Sequence, residues 1–309
     1  MTPYITTAIH RDRARSAWNR LRGSMGWAYK SVRSEVEASH MSLLLNSQFW
    51  SEEELKAMQW IKMQYLLHHA YETVPLYRER MDDLGLRPDD IRDAESLRKM
   101  PLITKHDLRE NLRLMISESY CIEDLEESWS GGSTGEPIRF YLNLRRKQLG
   151  ATEELWSDMV TGWRMGEPVA RLWGQCSPPR HGVRSAFRRH VLSPGFLVDA
   201  RRLSRDRFKT FIEQYYKWRP TLVIGYASAL DDLSQYILET KQILTPPRAI
   251  ISSGELLHAS ARHTIARAFG APVLDRYGCR EAGLIAFQCR PDGAYHVNML
   301  GVYVEIEDR

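Results

Sequence analysis

Between residues 221 and 274 the chain alternates two kinds of segment. Leu222–Gly225, Ala249–Ile251 and Val273–Leu274 are short and continuously apolar, while Ala229–Leu238 and Ala259–Phe269 between them space their apolar positions as helices do. This strand-helix-strand rhythm predicts a mainly parallel sheet with covering helices. Upstream, Pro168–Gly174 reads as another strand, and a helix from Phe208 to Trp218 stops before Pro220, because a proline disfavours helical backbone in the residue before it. The pattern 138–142 predicts a strand and 144–163 a helix. From Leu284 onward the runs shorten around Pro291-Asp292-Gly293, which predicts an antiparallel hairpin or small β element.

The first third has few strand signals. Ser51 followed by Glu52-Glu53-Glu54 is a helix start, and Leu55, Met58, Ile61, Tyr65, Leu66 and Ala70 recur at helical spacing behind it. Thr104 begins a shorter helix. Residues 11–33 are basic and carry Trp18, Trp27 and Tyr29, which reads as a helix packed by its aromatic face on the main domain. The expected architecture is α/β: a helical N-terminal region over 1–110 packed on an α/β core over 111–309.

Composition narrows the function. With 309 residues and 43% hydrophobic content the chain can bury a large core. A net charge of +4 is too weak a field to argue for nucleic acid. The arginine-rich stretch from Arg180 to Lys209 reads first as a solvated face, with attraction of a polyanion as the alternative. No apolar run approaches the roughly 20 residues of a membrane span. Widely separated Cys121, Cys176, Cys279 and Cys289 fit reduced thiols, hence a cytoplasmic location, better than a disulfide framework.

Candidate chemistry concentrates in three places. Ser130-Gly131-Gly132-Ser133-Thr134-Gly135-Glu136-Pro137 combines hydroxyl donors with glycines that let backbone N–H groups turn toward an anion. It lacks the lysine and following helix of the commoner nucleotide loop. A plain linker is the alternative. Ser252-Ser253-Gly254-Glu255 and Tyr277-Gly278-Cys279-Arg280-Glu281 each follow an apolar strand, and ligands of open α/β sheets bind beyond the carboxyl ends of strands.

Together these motifs resemble the adenylate-forming superfamily, most closely its phenylacetate-coenzyme A ligase-like branch, including relatives encoded with capsular polysaccharide genes. Leu66-Leu67-His68-His69-Ala70-Tyr71, Val74-Pro75-Leu76-Tyr77-Arg78, Leu102-Ile103-Thr104-Lys105, Gly225-Tyr226-Ala227-Ser228 and Val304-Glu305-Ile306-Glu307-Asp308 carry the resemblance further. One departure is Arg280, where that family usually has threonine. The resemblance implies the large N-terminal domain of an adenylate-forming enzyme, with the family's C-terminal domain lying beyond Arg309. It implies ATP-dependent activation of a small carboxylic acid as an acyl-adenylate, followed by transfer to coenzyme A or another acceptor. By the same resemblance Ser130, Gly131, Gly132, Ser133, Thr134 and Gly135 grip the ATP phosphates, Gly254, Glu255 and Tyr277 border adenine, and Glu281 holds Mg2+, with Thr134 and Glu281 catalytic. Tyr226, Ala227, Ser228, Gly278 and Trp173 are assigned to the acyl pocket. A homodimer is allowed for. The other readings are a truncated or non-catalytic nucleotide- or acyl-binding module and an acyltransferase in polysaccharide assembly.

Cys279, Cys289 and His296 offer three ligands for Zn2+, although no close C-x-x-C pair supports a structural site. Unliganded cysteines, acting as small hydrophobes, are the alternative.

Overall fold

A computed structural model of the chain describes residues 17–28, 34–130, 137–174 and 194–306. The helices and strands follow in order: α1 (17–28), α2 (Glu35–Ser47), α3 (Glu52–Thr73), α4 (Pro75–Asp83), α5 (Ala94–Leu97), α6 (Lys105–Glu110), β1 (Glu126–Trp129), β2 (Arg139–Leu142), α7 (Leu144–Val160), β3 (Val169–Trp173) and β4 (Gly195–Asp199). Then come α8 (Arg205–Trp218), β5 (Leu222–Gly225), α9 (Ala227–Glu239), β6 (Ala249–Ser253), α10 (Ala259–Phe269), β7 (Val273–Cys279), β8 (Gly283–Gln288) and β9 (Tyr295–Val297). Strands β1 and β2 pair antiparallel. The other seven form one sheet in the order β4-β3-β5-β6-β7-β8-β9, with β4, β3, β5, β6 and β7 mutually parallel. A connection as short as that between β7 and β8 permits only antiparallel pairing, since a parallel return needs a crossover. The expected α/β class, parallel sheet and terminal small β element are all present.

Packing divides the chain into two compact units: 1–39 with 154–277 and 286–296, and 40–153 with 278–285 and 297–309. In the first, β5 and β6 are buried on both faces, which is why they read as unbroken apolar runs. Ala170, Leu172, Val223 and Ile250 face a core completed by Phe211 and Tyr215 of α8, Leu230 and Leu233 of α9, and Ile265 and Phe269 of α10. Val169, Leu222, Ile224, Ile251 and Leu274 face the opposite core, against Trp163, Met165 and the α7 residues Leu155 and Met159. Trp27 of α1 packs on that second core as its aromatic pattern predicts, whereas Trp18 stays about half exposed with Arg22 over its ring.

In the second unit Ser51 caps α3 through the reciprocal box with Glu54. The buried stripe of α3 differs from the expected one. Trp60, Met63, Leu67 and Tyr71 pack with Met81 and Ile91, while Ile61, Tyr65 and Leu66 are exposed. Two apolar stripes run along this helix, and the helices packed on it, rather than its own periodicity, select the buried one. Thr104 begins α6 as expected, accepting Asp107 N–H.

Two further expectations change. The strand 273–274 extends through Tyr277, Gly278 and Cys279, so this motif is strand and the turn falls at Arg280–Ala282. Strand β4 lies within the arginine-rich stretch. Strand β1, which no expectation covered, pairs with β2 alone. Among the described residues no helix is long and apolar enough to cross a membrane.

Candidate functional site

The first unit collects residues from two of the predicted groups at the carboxyl ends of its parallel strands. Trp173, last in β3, stacks on Tyr226, just beyond β5, with ring centroids 4.2 Å apart and planes inclined by 19°. Gly254 follows β6 with φ of 82°, and a side chain there would stand 3.0 Å from the Tyr226 ring. The absence of one lets the backbone run against the stack. Glu255 accepts the Ser228 N–H at 2.9 Å, capping the first turn of α9, where helical N–H groups lack partners and an anion is favoured. Ala227 is buried, and Tyr277 projects from β7 with 61% of its surface exposed. Since Ser253 pairs in register with Arg276, Gly254 and Tyr277 continue adjacent strands. The adenine and acyl candidates Trp173, Tyr226, Ala227, Ser228, Gly254 and Glu255 thus occupy neighbouring strand ends, with Tyr277 on the adjacent strand β7.

Sequence reasoning missed the group beneath this shelf. Arg276, one residue before Tyr277, reaches α7 through Asp158 at 2.8 Å and Ser157 at 2.9 Å, and its carbonyl accepts the Ser253 hydroxyl at 2.9 Å. Burial pushes the Asp158 carboxyl above the usual range, against the pull of Arg276 and Arg171. Burial likewise lowers the Arg171 guanidinium, which Asp158 opposes. The earlier signal was Arg171 inside an otherwise apolar strand and the charged pair Asp275-Arg276 directly after Val273-Leu274.

The second unit carries the hydroxyl-rich loop and the acid. Gly131, Gly132, Ser133, Thr134 and Gly135 lie outside the described residues, but both ends of the segment are defined. Ser130 N–H donates to the Ile138 carbonyl at 2.9 Å, and Ile138 N–H donates to Ser130 Oγ at 2.8 Å. Glu281 is exposed on the turn after β7. Arg280 Nη1 donates to the Trp129 carbonyl at 3.1 Å, directly before Ser130. Arg146 of α7 donates to the Ala282 carbonyl and pairs with the buried Glu153 at 3.3 Å, which also meets His40 at 3.4 Å. Gly278 passes the Gly283 carbonyl so closely that a side chain would stand 2.5 Å from it. Trp129 and Arg146 were not singled out by sequence, since Arg146 and Ala282 are 136 residues apart.

Of the suggested zinc ligands, Cys289 Sγ and His296 Nε2 meet at 3.0 Å. Cys279 Sγ instead accepts the Ala282 N–H at 3.3 Å, and partial burial, aided by the Glu281 carboxylate, holds its thiol above the usual range. Among the described residues no group of three or more His, Cys, Asp or Glu side chains is placed to hold a metal. For Mg2+ the exposed Glu281 carboxylate remains a fitting donor, because that ion usually takes one or two carboxylates and completes its shell with water and substrate phosphates.

The fold is similar to that of a solved acyl-CoA ligase. 2-Hydroxyisobutyryl-CoA ligase superposes with a TM-score of 0.62 at 20% identity, covering 77% of this chain and 52% of that one. In sequence the chain is 40% identical over 87 residues to phenylacetate-coenzyme A ligase of Escherichia coli, covering 28% of this chain and 20% of that enzyme. It is 24% identical over 188 residues to protein CapK of Staphylococcus aureus, covering 60% and 41% respectively. The matched stretches therefore span less than half the length of these curated relatives. No protein-family profile matches the chain. The resemblance read from the motifs stands: the chain is related to the phenylacetate-coenzyme A ligase-like branch of the adenylate-forming proteins.

Proposed function

We propose that this chain is the nucleotide- and acyl-binding part of an enzyme that activates a carboxylic acid with ATP and passes the acyl group to a thiol, coenzyme A. The observation carrying this reading is the Arg280 hydrogen bond to Trp129, which brings the Glu281 turn to the base of the hydroxyl-rich loop. A carboxylate oxygen attacks the α-phosphorus, the bond from that phosphorus to the bridging β-oxygen breaks, and pyrophosphate leaves. A thiolate then attacks the acyl carbon and AMP departs. The reaction concentrates negative charge at phosphate, which preorganised donors stabilise most effectively. Ser130, Ser133 and Thr134 supply hydroxyl donors, with Gly131, Gly132 and Gly135 admitting the backbone. Mg2+ bound through Glu281 would supply Lewis-acid neutralisation of the phosphates. The Tyr277 ring offers a face to adenine, and the Trp173–Tyr226 stack borders the acyl group.

The test is ATP–pyrophosphate exchange with a panel of small aryl and alkyl acids, run beside calorimetric titration with ATP and AMP. Acid-dependent exchange that disappears in Glu281→Ala is expected. Exchange undiminished by that substitution removes the magnesium assignment. A second reading is a nucleotide- or acyl-binding module. Binding without exchange is its signature.

A further inference from the structure

We propose that the second unit carries a binding site for a small hydrophobic carboxylic acid, its apolar tail in a cavity between α3, α6 and β2 and its carboxylate on Arg139. The site shares no residue with the shelf at Trp173 and Tyr226 and does not depend on the ATP-activation reading. The cavity has a volume of about 280 Å3, and Leu108, Leu112, Met115, Ile116, Leu125 and Phe140 form its apolar lining. A void of roughly 150 Å3 with apolar walls takes up benzene, so this one has room for a ring with a short side arm or for a medium-length alkyl chain. None of the six apolar side chains is buried, and a tail that covered them would remove apolar surface from water. The walls are preformed. Glu118 N–H donates to the Thr73 carbonyl at 2.7 Å and Asn143 Nδ2 donates to the Tyr120 hydroxyl at 2.9 Å, tying the segment 111–120 to α3 and to the start of α7. On the α3 side the polar groups satisfy one another: Ser117 Oγ donates to Thr73 Oγ1 at 2.9 Å, and Thr73 Oγ1 to the His69 carbonyl at 2.7 Å. Arg139 is the one permanently charged side chain among the described lining residues. Its ion-pair partner Glu127 stands 3.9 Å away, beyond hydrogen-bonding distance, and Trp129 Nε1 donates to that carboxylate at 3.1 Å. A guanidinium presents a planar fork that a carboxylate fills with two parallel hydrogen bonds. One cation beside one apolar cavity matches a ligand with a single anionic head and an apolar body.

The test is a titration of the full chain with octanoate, its Met and Ile methyl groups isotopically labelled and followed by NMR without ATP. The Met115 and Ile116 methyl signals, assigned through Met115→Leu and Ile116→Val, should shift and saturate. Octylammonium, with the same tail and the opposite charge, should leave them unmoved. Octanoate that moves neither signal overturns the site, and an equal response to octylammonium overturns the carboxylate assignment. By calorimetry Arg139→Gln should weaken octanoate about tenfold, the loss expected for one charge-assisted contact. Unchanged affinity in that variant takes the carboxylate off Arg139. Glu127→Gln should tighten binding, because the ligand no longer shares the guanidinium with a neighbouring acid, and weaker binding there overturns that competition. Leu112→Trp, which fills the cavity from a partly exposed position, should abolish the Met115 shift at an unchanged unfolding midpoint. A shift retained in that folded variant overturns the cavity as the seat of the tail. ATP–pyrophosphate exchange on the same preparation keeps the two readings apart. Methyl shifts in a chain without exchange refute ATP activation by this chain and leave the acid site standing, and exchange without the shifts does the reverse.

Discussion

The shelf in the first unit and the acid-bearing turn in the second are built by opposite means. Trp173, Tyr226 and Gly254 stand at or just beyond the ends of β3, β5 and β6, strands whose residues fill the two cores, and Tyr277 projects from the adjacent β7. The Glu281 turn is exposed, and point contacts hold it: Arg146 on one carbonyl, Arg280 donating to another, and two glycines crossing where the hairpin is narrowest. A shelf made this way suits a flat, uncharged group, because apolar packing carries no penalty for keeping it rigid. A turn held by a few polar contacts suits a charged ligand whose neutralisation requires donors and acid to adjust together. The difference teaches that a lost shelf contact should appear as global stability, and a lost turn contact as local order.

The sharpest way to break the comparison is Asp158→Ala. It leaves Arg276 and Arg171 without their buried counter-charge beneath the shelf, and unfolding by denaturant should show a loss of about 3–5 kcal/mol. A loss below about 1 kcal/mol would mean that water reaches these arginines and the shelf is not rigidly underpinned. Next in size is Gly283→Ala. Residue 283 has φ of 76° and its new methyl would collide with Arg146, so about 1–3 kcal/mol should be lost in thermal unfolding, with faster amide exchange confined to 279–285. Tyr277→Ala then sharpens the contrast through binding alone. Adenosine affinity should fall by about 1–3 kcal/mol, the usual value of one aromatic–base stack, while stability stays at the wild-type level because the side chain is 61% exposed. The smallest effect is expected of Ser130→Ala. Losing the acceptor of the Ile138 N–H should cost about 1 kcal/mol, seen as faster exchange of that amide without a shift in the global unfolding midpoint.

An acid titration probes the second unit independently. The Thr104 hydroxyl and backbone N–H, with Arg80, hold the Asp107 carboxyl far below the ordinary carboxylate range. Its folded value is depressed, so its contribution is complete above the unfolded value of about 3.8 and fades as pH falls toward the folded one. The difference in unfolding temperature between wild type and Asp107→Asn should therefore be constant at neutral pH and shrink below about pH 4. A difference that persists unchanged at pH 2 would assign the effect to shape rather than charge.

The amino-acid sequence by itself determined what depends on neighbours along the chain. The buried parallel strands announced themselves as unbroken apolar runs, and Ser51 and Thr104 as caps. Tertiary structure decided what depends on partners far away. Which stripe of α3 is buried was settled by Met81 and Ile91, and the pairing of Asp158 with Arg276 by the packing of α7 on the sheet. The meeting of Arg280 with Trp129, across 151 positions, followed from the β7–β8 hairpin. Periodicity and capping are local energies written residue by residue. A guanidinium's choice among many carbonyls is made only after the loops between them have closed, and no window of sequence contains that information.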